Sequence, residues 1–278
     1  MSEAVPNLPS PIPPVLLVGC GRMGGAMLAG WRDRGLAASV VVDPAPLPLA
    51  ALSAGDDLVV AAGPDAVPQG FVPEAVVFAV KPQNAAETLP AYRRYAGRAV
   101  FLSIMAGRTL GGMRDLLGRD AAIVRAMPNT PAAIGQGVTV VCPGTGVSAA
   151  QSRLCEALLA AIGTVAWIAD EALLDAVTAV SGSGPAYVFL LAELLEQAAI
   201  EQGIPGDLAR LLARRTVEGS GALLGASAEE ADALRRAVTS PGGTTEAALR
   251  VLMAAEAWPE ALRRAVAAAT ARSRELAG

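Results

Sequence analysis

Two glycine loops hold most of the groups in this 278-residue chain that could do chemistry. The first is Gly19-Cys20-Gly21-Arg22-Met23-Gly24, which follows the apolar stretch Val15–Val18 and opens a run of helix formers. In that context G-x-G-x-x-G is a dinucleotide-binding pattern. Gly19 permits a sharp turn, Gly21 lets the backbone approach a pyrophosphate, and Gly24 lets the helix pack close to the strand. Amides at the helix start, together with the helix dipole, then face the phosphates. The second loop is Ser240-Pro241-Gly242-Gly243-Thr244-Thr245, which feeds a helix with no strand before it. The amides of Gly243, Thr244 and Thr245 suit a carboxylate rather than a dinucleotide, and the Thr245 hydroxyl can reach a neighbouring nitrogen. The plainer reading is that Thr244 serves only as an N-cap.

What the chain lacks narrows the chemistry further. It has no histidine, which excludes Ser-His-Asp and Cys-His catalysis and most zinc chemistry. Its one lysine, Lys81, is either functional or an ordinary solvated side chain. The three cysteines, Cys20, Cys142 and Cys155, are too few and too scattered for a disulfide framework or a metal site, so no metal is expected. They fit a reduced cytoplasmic setting. A net charge of −4 and a pI near 5.1 argue against nucleic acid as a partner.

The elements that must position these groups follow from hydrophobic patterning. Apolar runs at Val15–Val18, Val40–Val42, Leu58–Ala61, Ala75–Val80, Ala99–Leu102, Ile123–Arg125 and Val138–Val141 read as strands. Helical segments at Arg22–Arg34, Asn84–Ala96, Leu110–Leu117 and Ala149–Ala161 fall between them. This alternation gives a Rossmann-type, doubly wound α/β sheet over residues 15–169, with ligands at the carboxyl ends of the strands. Ala79-Val80-Lys81-Pro82 and the segment around Ala106 lie at two such ends, where they either line a cofactor or simply end strands. In Met127-Pro128-Asn129-Thr130-Pro131 two prolines fix an extended backbone around Asn129, as a wall of a nicotinamide pocket or as a plain connector. Asp43 ends the second strand, nineteen positions beyond Gly24, where an acid bonds the adenosine ribose hydroxyls of NAD. A 2′-phosphate would be repelled there, and Pro44 to Pro48 offers no cation, which leaves Arg22 as the nearby candidate. NADH is therefore expected over NADPH. Alternatively Asp43 only begins the Pro44 turn.

Residues 1–14, with five prolines, read as a disordered or extended tail without the basic and apolar regions of a signal peptide. The charge-free run Ala176 to Ala192 is interrupted at Ser181–Pro185, so no membrane span is expected. Over residues 170–278 strand signals give way to helices near Glu171–Val180, Pro185–Gln202, Asp207–Leu224, Glu229–Val238, Thr244–Ala255 and Pro259–Leu276. Tyr187–Leu191 is apolar on all faces, which implies burial against a second copy or in the centre of a self-contained bundle.

Taken together, Gly19–Gly24, Ala79–Pro82, Arg125–Pro131, Ser181-Gly182-Ser183-Gly184-Pro185-Ala186-Tyr187 and Ser240–Thr245 resemble the pyrroline-5-carboxylate reductase family over nearly everything from Pro14 onward. The resemblance implies a Rossmann domain, an all-helical dimerisation domain, homodimers that often assemble into decamers, and reduction of 1-pyrroline-5-carboxylate to L-proline with NAD(P)H. It implies that Gly19 to Gly24 hold the pyrophosphate, and that Val80, Lys81 and Ala106 line the ribose–nicotinamide end. Ser240–Thr245 would hold the substrate carboxylate, with the Thr245 hydroxyl on the ring nitrogen. Glu171 matches a carboxylate near the substrate. A 3-hydroxyacid-type dehydrogenase shares the first loop but uses a lysine on its helical domain, and here Lys81 lies in the other half. An inactive, cofactor-binding regulatory protein would not need the second loop intact.

Overall fold

The computed structural model describes residues 11–45 and 57–277. Among these, eight strands form one sheet: β1 (Val15–Val18), β2 (Ser39–Val42), β3 (Leu58–Ala61), β4 (Ala75–Phe78), β5 (Val100–Ser103), β6 (Ala122–Met127), β7 (Gly137–Pro143) and β8 (Gly163–Trp167). Their order is β3-β2-β1-β4-β5-β6-β7-β8. The first six are parallel, with Val18 beside both Val42 and Phe78. β7 runs antiparallel to β6, and β8 runs parallel to β7. The order reverses between β1 and β4, so loops from those two strands diverge over a crevice.

Continuous apolar strands suit a sheet covered on both sides. On one side Leu17, Val41 and Val77 pack with Met27, Leu28 and Trp31 of α1 (Arg22–Arg32) and with Leu154 and Leu158. The Trp31 indole donates to the Leu158 carbonyl at 2.7 Å, which joins α1 to the later helix α4 (Ala149–Ala160). On the other side Leu16, Val40, Val76, Phe78 and Phe101 pack with Leu89, Tyr92 and Met113.

The expected helix over Asn84–Ala96 is broken. A 3-10 turn at Pro82–Asn84 leads to α2 (Ala85–Thr88), then a 3-10 stretch at Leu89–Tyr95. Pro90 explains this, since it has no N–H and its ring clashes with the preceding turn. α3 (Leu110–Leu117) lies where the pattern places it, N-capped by Thr109, whose hydroxyl accepts from the Gly112 amide at 3.1 Å.

Strand β8 has no counterpart in the sequence reading, because it alternates between half-buried and exposed residues at the sheet edge. The tail expectation covers residues 1–10, which lie outside the described residues, and 11–14, where it is corrected. Ile12 is buried in the core, its carbonyl accepts from Ala37, and the Pro14 carbonyl accepts from Glu74.

The chain forms two compact units, one running to Gly182 and taking up Thr270 onward, the other Ser183–Ala269. The sequence reading puts the boundary at 169/170, before α5 (Leu173–Val177). α5 and the π-helical turn Thr178–Gly182 belong to the first unit. The second unit contains α6 (Gly184–Glu201), α7 (Gly206–Ala226), α8 (Ala231–Ala237), α9 (Thr244–Leu252) and most of α10 (Trp258–Ala277).

α6 packs on α7, yet within the second unit only Ala209 and Ala213 are buried apolar residues of the single chain. Phe189 is 67% exposed, and Leu190, Leu194, Leu211, Leu212 and Leu223 are also exposed. Helix Leu173–Glu201 is long and apolar enough to cross a membrane by length and composition alone. This differs from the expectation that Ser181–Pro185 interrupts the run, because the π turn carries the helix onward.

Candidate active site

A cleft of about 630 Å³ opens at the carboxyl ends of β1 to β4. Gly19, Gly21, Asp43, Ala79, Val80 and Lys81, all candidate cofactor residues from the sequence, line it. Gly19 has φ +92°, which a side chain would strain. A Cβ on Gly24 would lie 2.3 Å from the Gly19 carbonyl oxygen, so that glycine is what lets α1 start so close to β1. Gly21, by contrast, would place its Cβ in open space. Its N-cap position carries no side-chain cap, which leaves first-turn amides of α1 available to an anion. These features fit a dinucleotide pyrophosphate.

The remaining predicted cofactor residues are not among those that line the cleft. Arg22 is exposed at the start of α1, and Met23 packs on the core. The buried Cys20 thiol is pushed up from its ordinary value by burial and then by Asp43, which keeps it uncharged. Ala106 lies in the loop after β5 and Asn129 in the loop after β6, beyond the cleft lining. The Asn129 side-chain oxygen accepts from the Val138 amide at 2.9 Å, so this residue also ties its loop to β7. Pro82 accepts from the Arg108 side chain at 2.8 Å, linking the loops after β4 and β5. The reading missed Ala62, Gly63 and Pro64. They follow β3, and the rule that ligands gather at carboxyl ends would have found them.

Asp43 fulfils the turn reading, and its side chain also lines the cleft. Oδ1 accepts from the Ala45 amide at 2.9 Å across Pro44. Oδ2 accepts from the Cys20 amide at 2.6 Å. An ionised carboxylate has about four acceptor positions, so two remain for hydroxyl donors. Pro46 to Pro48 lie outside the described residues.

In the second unit, Gly242 has φ +71° and Gly243 is the N-cap of α9, which makes Thr244 the first helical residue rather than the cap. The Gly243 amide donates to the Ser240 carbonyl at 3.0 Å, so it is not free as the sequence reading has it. The Gly242 amide donates to Glu246 at 2.8 Å. Thr244 and Thr245, as the first two helical residues, keep amides without intrahelical partners. Thr245 is half-buried and Ser240 exposed.

Glu171 lies in the first unit, and its Oε1 accepts from the Arg125 guanidinium at 2.7 Å and from the Leu110 amide at 2.8 Å. The guanidinium is almost fully buried. Nothing in the sequence pattern points to this pair.

A doubly wound sheet, a glycine loop open to a pyrophosphate and a separate helical unit define a nicotinamide-dinucleotide oxidoreductase. The family described as "NADP oxidoreductase coenzyme F420-dependent" matches residues 14–107, and "Pyrroline-5-carboxylate reductase dimerisation" matches residues 171–276. The pyrroline-5-carboxylate reductase of Pseudomonas aeruginosa is 36% identical over 95% of this chain and 97% of its own length. That of Synechocystis is 40% identical over 77% of this chain and 79% of its own. Among solved structures, a pyrroline-5-carboxylate reductase from Coxiella burnetii superposes with a TM-score of 0.86 at 30% identity, covering 95% of this chain and 98% of that one. One from Plasmodium falciparum, with NADP bound, gives 0.80 at 26% identity, over 95% and 99%. The chain belongs to the pyrroline-5-carboxylate reductase family.

Proposed function

We propose that this chain reduces 1-pyrroline-5-carboxylate to L-proline with a reduced nicotinamide dinucleotide, the last step of proline biosynthesis. The observation that carries the reading is the pairing of an open glycine cleft with a second loop suited to a carboxylate, in a chain of this family. When bound, the dinucleotide supplies the hydride.

A cyclic imine protonates near neutral pH, and the iminium is already electrophilic, so no strong general acid is required. A chain without histidine meets that need by alignment. The amides of Thr244 and Thr245 hold the substrate carboxylate, within the loop Ser240, Gly242 and Gly243. The Thr245 hydroxyl holds the ring nitrogen. Gly19 to Gly24 hold the pyrophosphate, and Val80, Lys81, Pro82, Ala106 and Asn129 border the nicotinamide side.

NADH is the preferred cofactor in this reading. Asp43 faces the cleft, and the sequence has no lysine or arginine from Gly35 to Val80, which leaves a 2′-phosphate little to bind. The working form is a homodimer, supported by the uncovered apolar faces of α6 and α7, with a decamer as the further assembly that the family resemblance suggests. Three unpaired cysteines suit a cytoplasmic location. Pyrroline-5-carboxylate-dependent oxidation of NADH and NADPH, followed at 340 nm, tests the reading. Absence of turnover with both would overturn it.

A further inference from the structure

We propose that Glu171 is a positioning residue: held by Arg125, its carboxylate fixes the start of α3 and with it the β5–α3 loop that carries Ala106. The proposal rests on the reductase reading above, which puts that loop beside the nicotinamide. The Arg125 guanidinium on β6 is 6% exposed and needs a partner, which Glu171 supplies at 2.7 Å. The same oxygen accepts from the Leu110 amide at 2.8 Å. Leu110 is the first residue of α3, so its amide has no helical partner of its own.

One carboxylate thus joins β6 to the point where the Ala106 loop ends. Three further ties surround the loop. The Ile104 amide donates to the Phe78 carbonyl at 3.1 Å, and Arg108 donates to Pro82 at 2.8 Å. Gly107, at φ +68°, lies so near the Leu276 carbonyl that a Cβ would be 3.1 Å from that oxygen. A loop with so few rotatable options is suited to aligning a reacting ring, and misalignment of about 1 Å can cost on the order of a hundredfold in rate.

Three variants test this. Glu171→Ala removes the acceptor. Glu171→Gln keeps a neutral acceptor for both donors. Leu110→Pro deletes the amide donor at a helix position where proline is favoured, after a residue already extended at ψ 156°, and leaves the ion pair intact. Leu110→Ala controls for the lost side chain. The expected result is a fall in kcat of roughly tenfold or more for Glu171→Ala and Leu110→Pro, with little change in KM for the imine. Leu110→Ala should stay within about threefold of wild type, whereas Glu171→Gln, which leaves the buried Arg125 guanidinium without an anion, should lie between Glu171→Ala and wild type. Hydrogen–deuterium exchange of residues 104–109, measured without cofactor, should quicken in Glu171→Ala and Leu110→Pro but not in Leu110→Ala.

A loss of kcat and a quickening of exchange in Leu110→Ala as large as in Leu110→Pro would overturn the proposal, because the amide bond would then not be what matters. So would unchanged kcat and exchange in Leu110→Pro, which remains informative if Glu171→Ala does not fold. A wild-type protein without pyrroline-5-carboxylate reduction would defeat the functional reading instead, and the exchange measurement would still decide whether the tether exists.

Discussion

The Cys20 amide donates to Asp43 Oδ2 at 2.6 Å, so the glycine loop and the end of β2 are fastened together by a carboxylate that also lines the cofactor cleft. In the binding mode proposed above, this carboxylate lies beside the adenosine ribose of the dinucleotide. Wild-type protein should therefore show higher kcat/KM with NADH than with NADPH. Asp43→Ser should shift the ratio toward NADPH by about 1–2 kcal/mol, roughly five- to thirtyfold. Steady-state rates with both cofactors measure this, and a clear wild-type preference for NADPH would mean that Arg22 or another contact outweighs the carboxylate.

Thr245→Ala should lower kcat/KM for the imine while leaving cofactor affinity nearly constant, because Thr245 stands in the second glycine loop and not in the dinucleotide cleft. Loss of one hydrogen bond costs about 0.5–1.5 kcal/mol, and more if its partner stays buried and unpaired. Titration of nicotinamide fluorescence, set beside initial rates, separates the two quantities. An unchanged kcat/KM would remove Thr245 from the site.

Phe189 sits two-thirds exposed on α6 among Val188, Leu190 and Leu194. A surface of that kind needs a cover, and a glutamate inside it would be buried without a partner. Phe189→Glu should give aggregated or unfolded protein. A soluble, active monomer by light scattering would exclude the obligate dimer.

Tyr92 is buried against Phe78, their rings 5.6 Å apart and close to perpendicular. Burial pushes its phenol up from 10.0 to about 12, with Arg94 lowering it and Tyr95 raising it by smaller amounts. The folded state thus holds the proton more tightly than the unfolded state. Its contribution to stability is complete below pH 10 and is lost as pH rises toward 12, at up to about 1.4 kcal/mol per pH unit. Urea midpoints between pH 9 and 11.5 should fall less steeply in Tyr92→Phe than in wild type. Parallel slopes would contradict the shift.

The parts of the fold that rest on local pattern were legible in the sequence. β1, β2 and β4 are buried on both faces and so appear as unbroken apolar runs, and Gly24 is required by a single short contact within its own motif. Leu110–Leu117 could be placed from its hydrophobic pattern between two strands, and the structure adds the Thr109 cap that starts it. β8 was not legible, since an edge strand that is half wet gives a weak apolar signal. The Asn84–Ala96 segment looked helical by periodicity, and Pro90 defeated that locally. The Arg125–Glu171 pair was invisible for another reason. Its members are 46 residues apart, Arg125 sits within an apolar strand, and only the folded sheet brings them together.

The last residues of α10 have a further consequence. Ser273 donates to Asp175 at 2.7 Å, and the Leu276 carbonyl lies against Gly107, all within the first compact unit. A ribosome makes the chain from the amino end at about 5–20 residues per second, and domains ordinarily fold as they emerge. Here the sheet can form early, but the Ala106 loop lacks one of its walls until residues 270–277 have been synthesised and have left the exit tunnel. The first unit is thus completed by residues that are translated only after the whole of Ser183–Ala269.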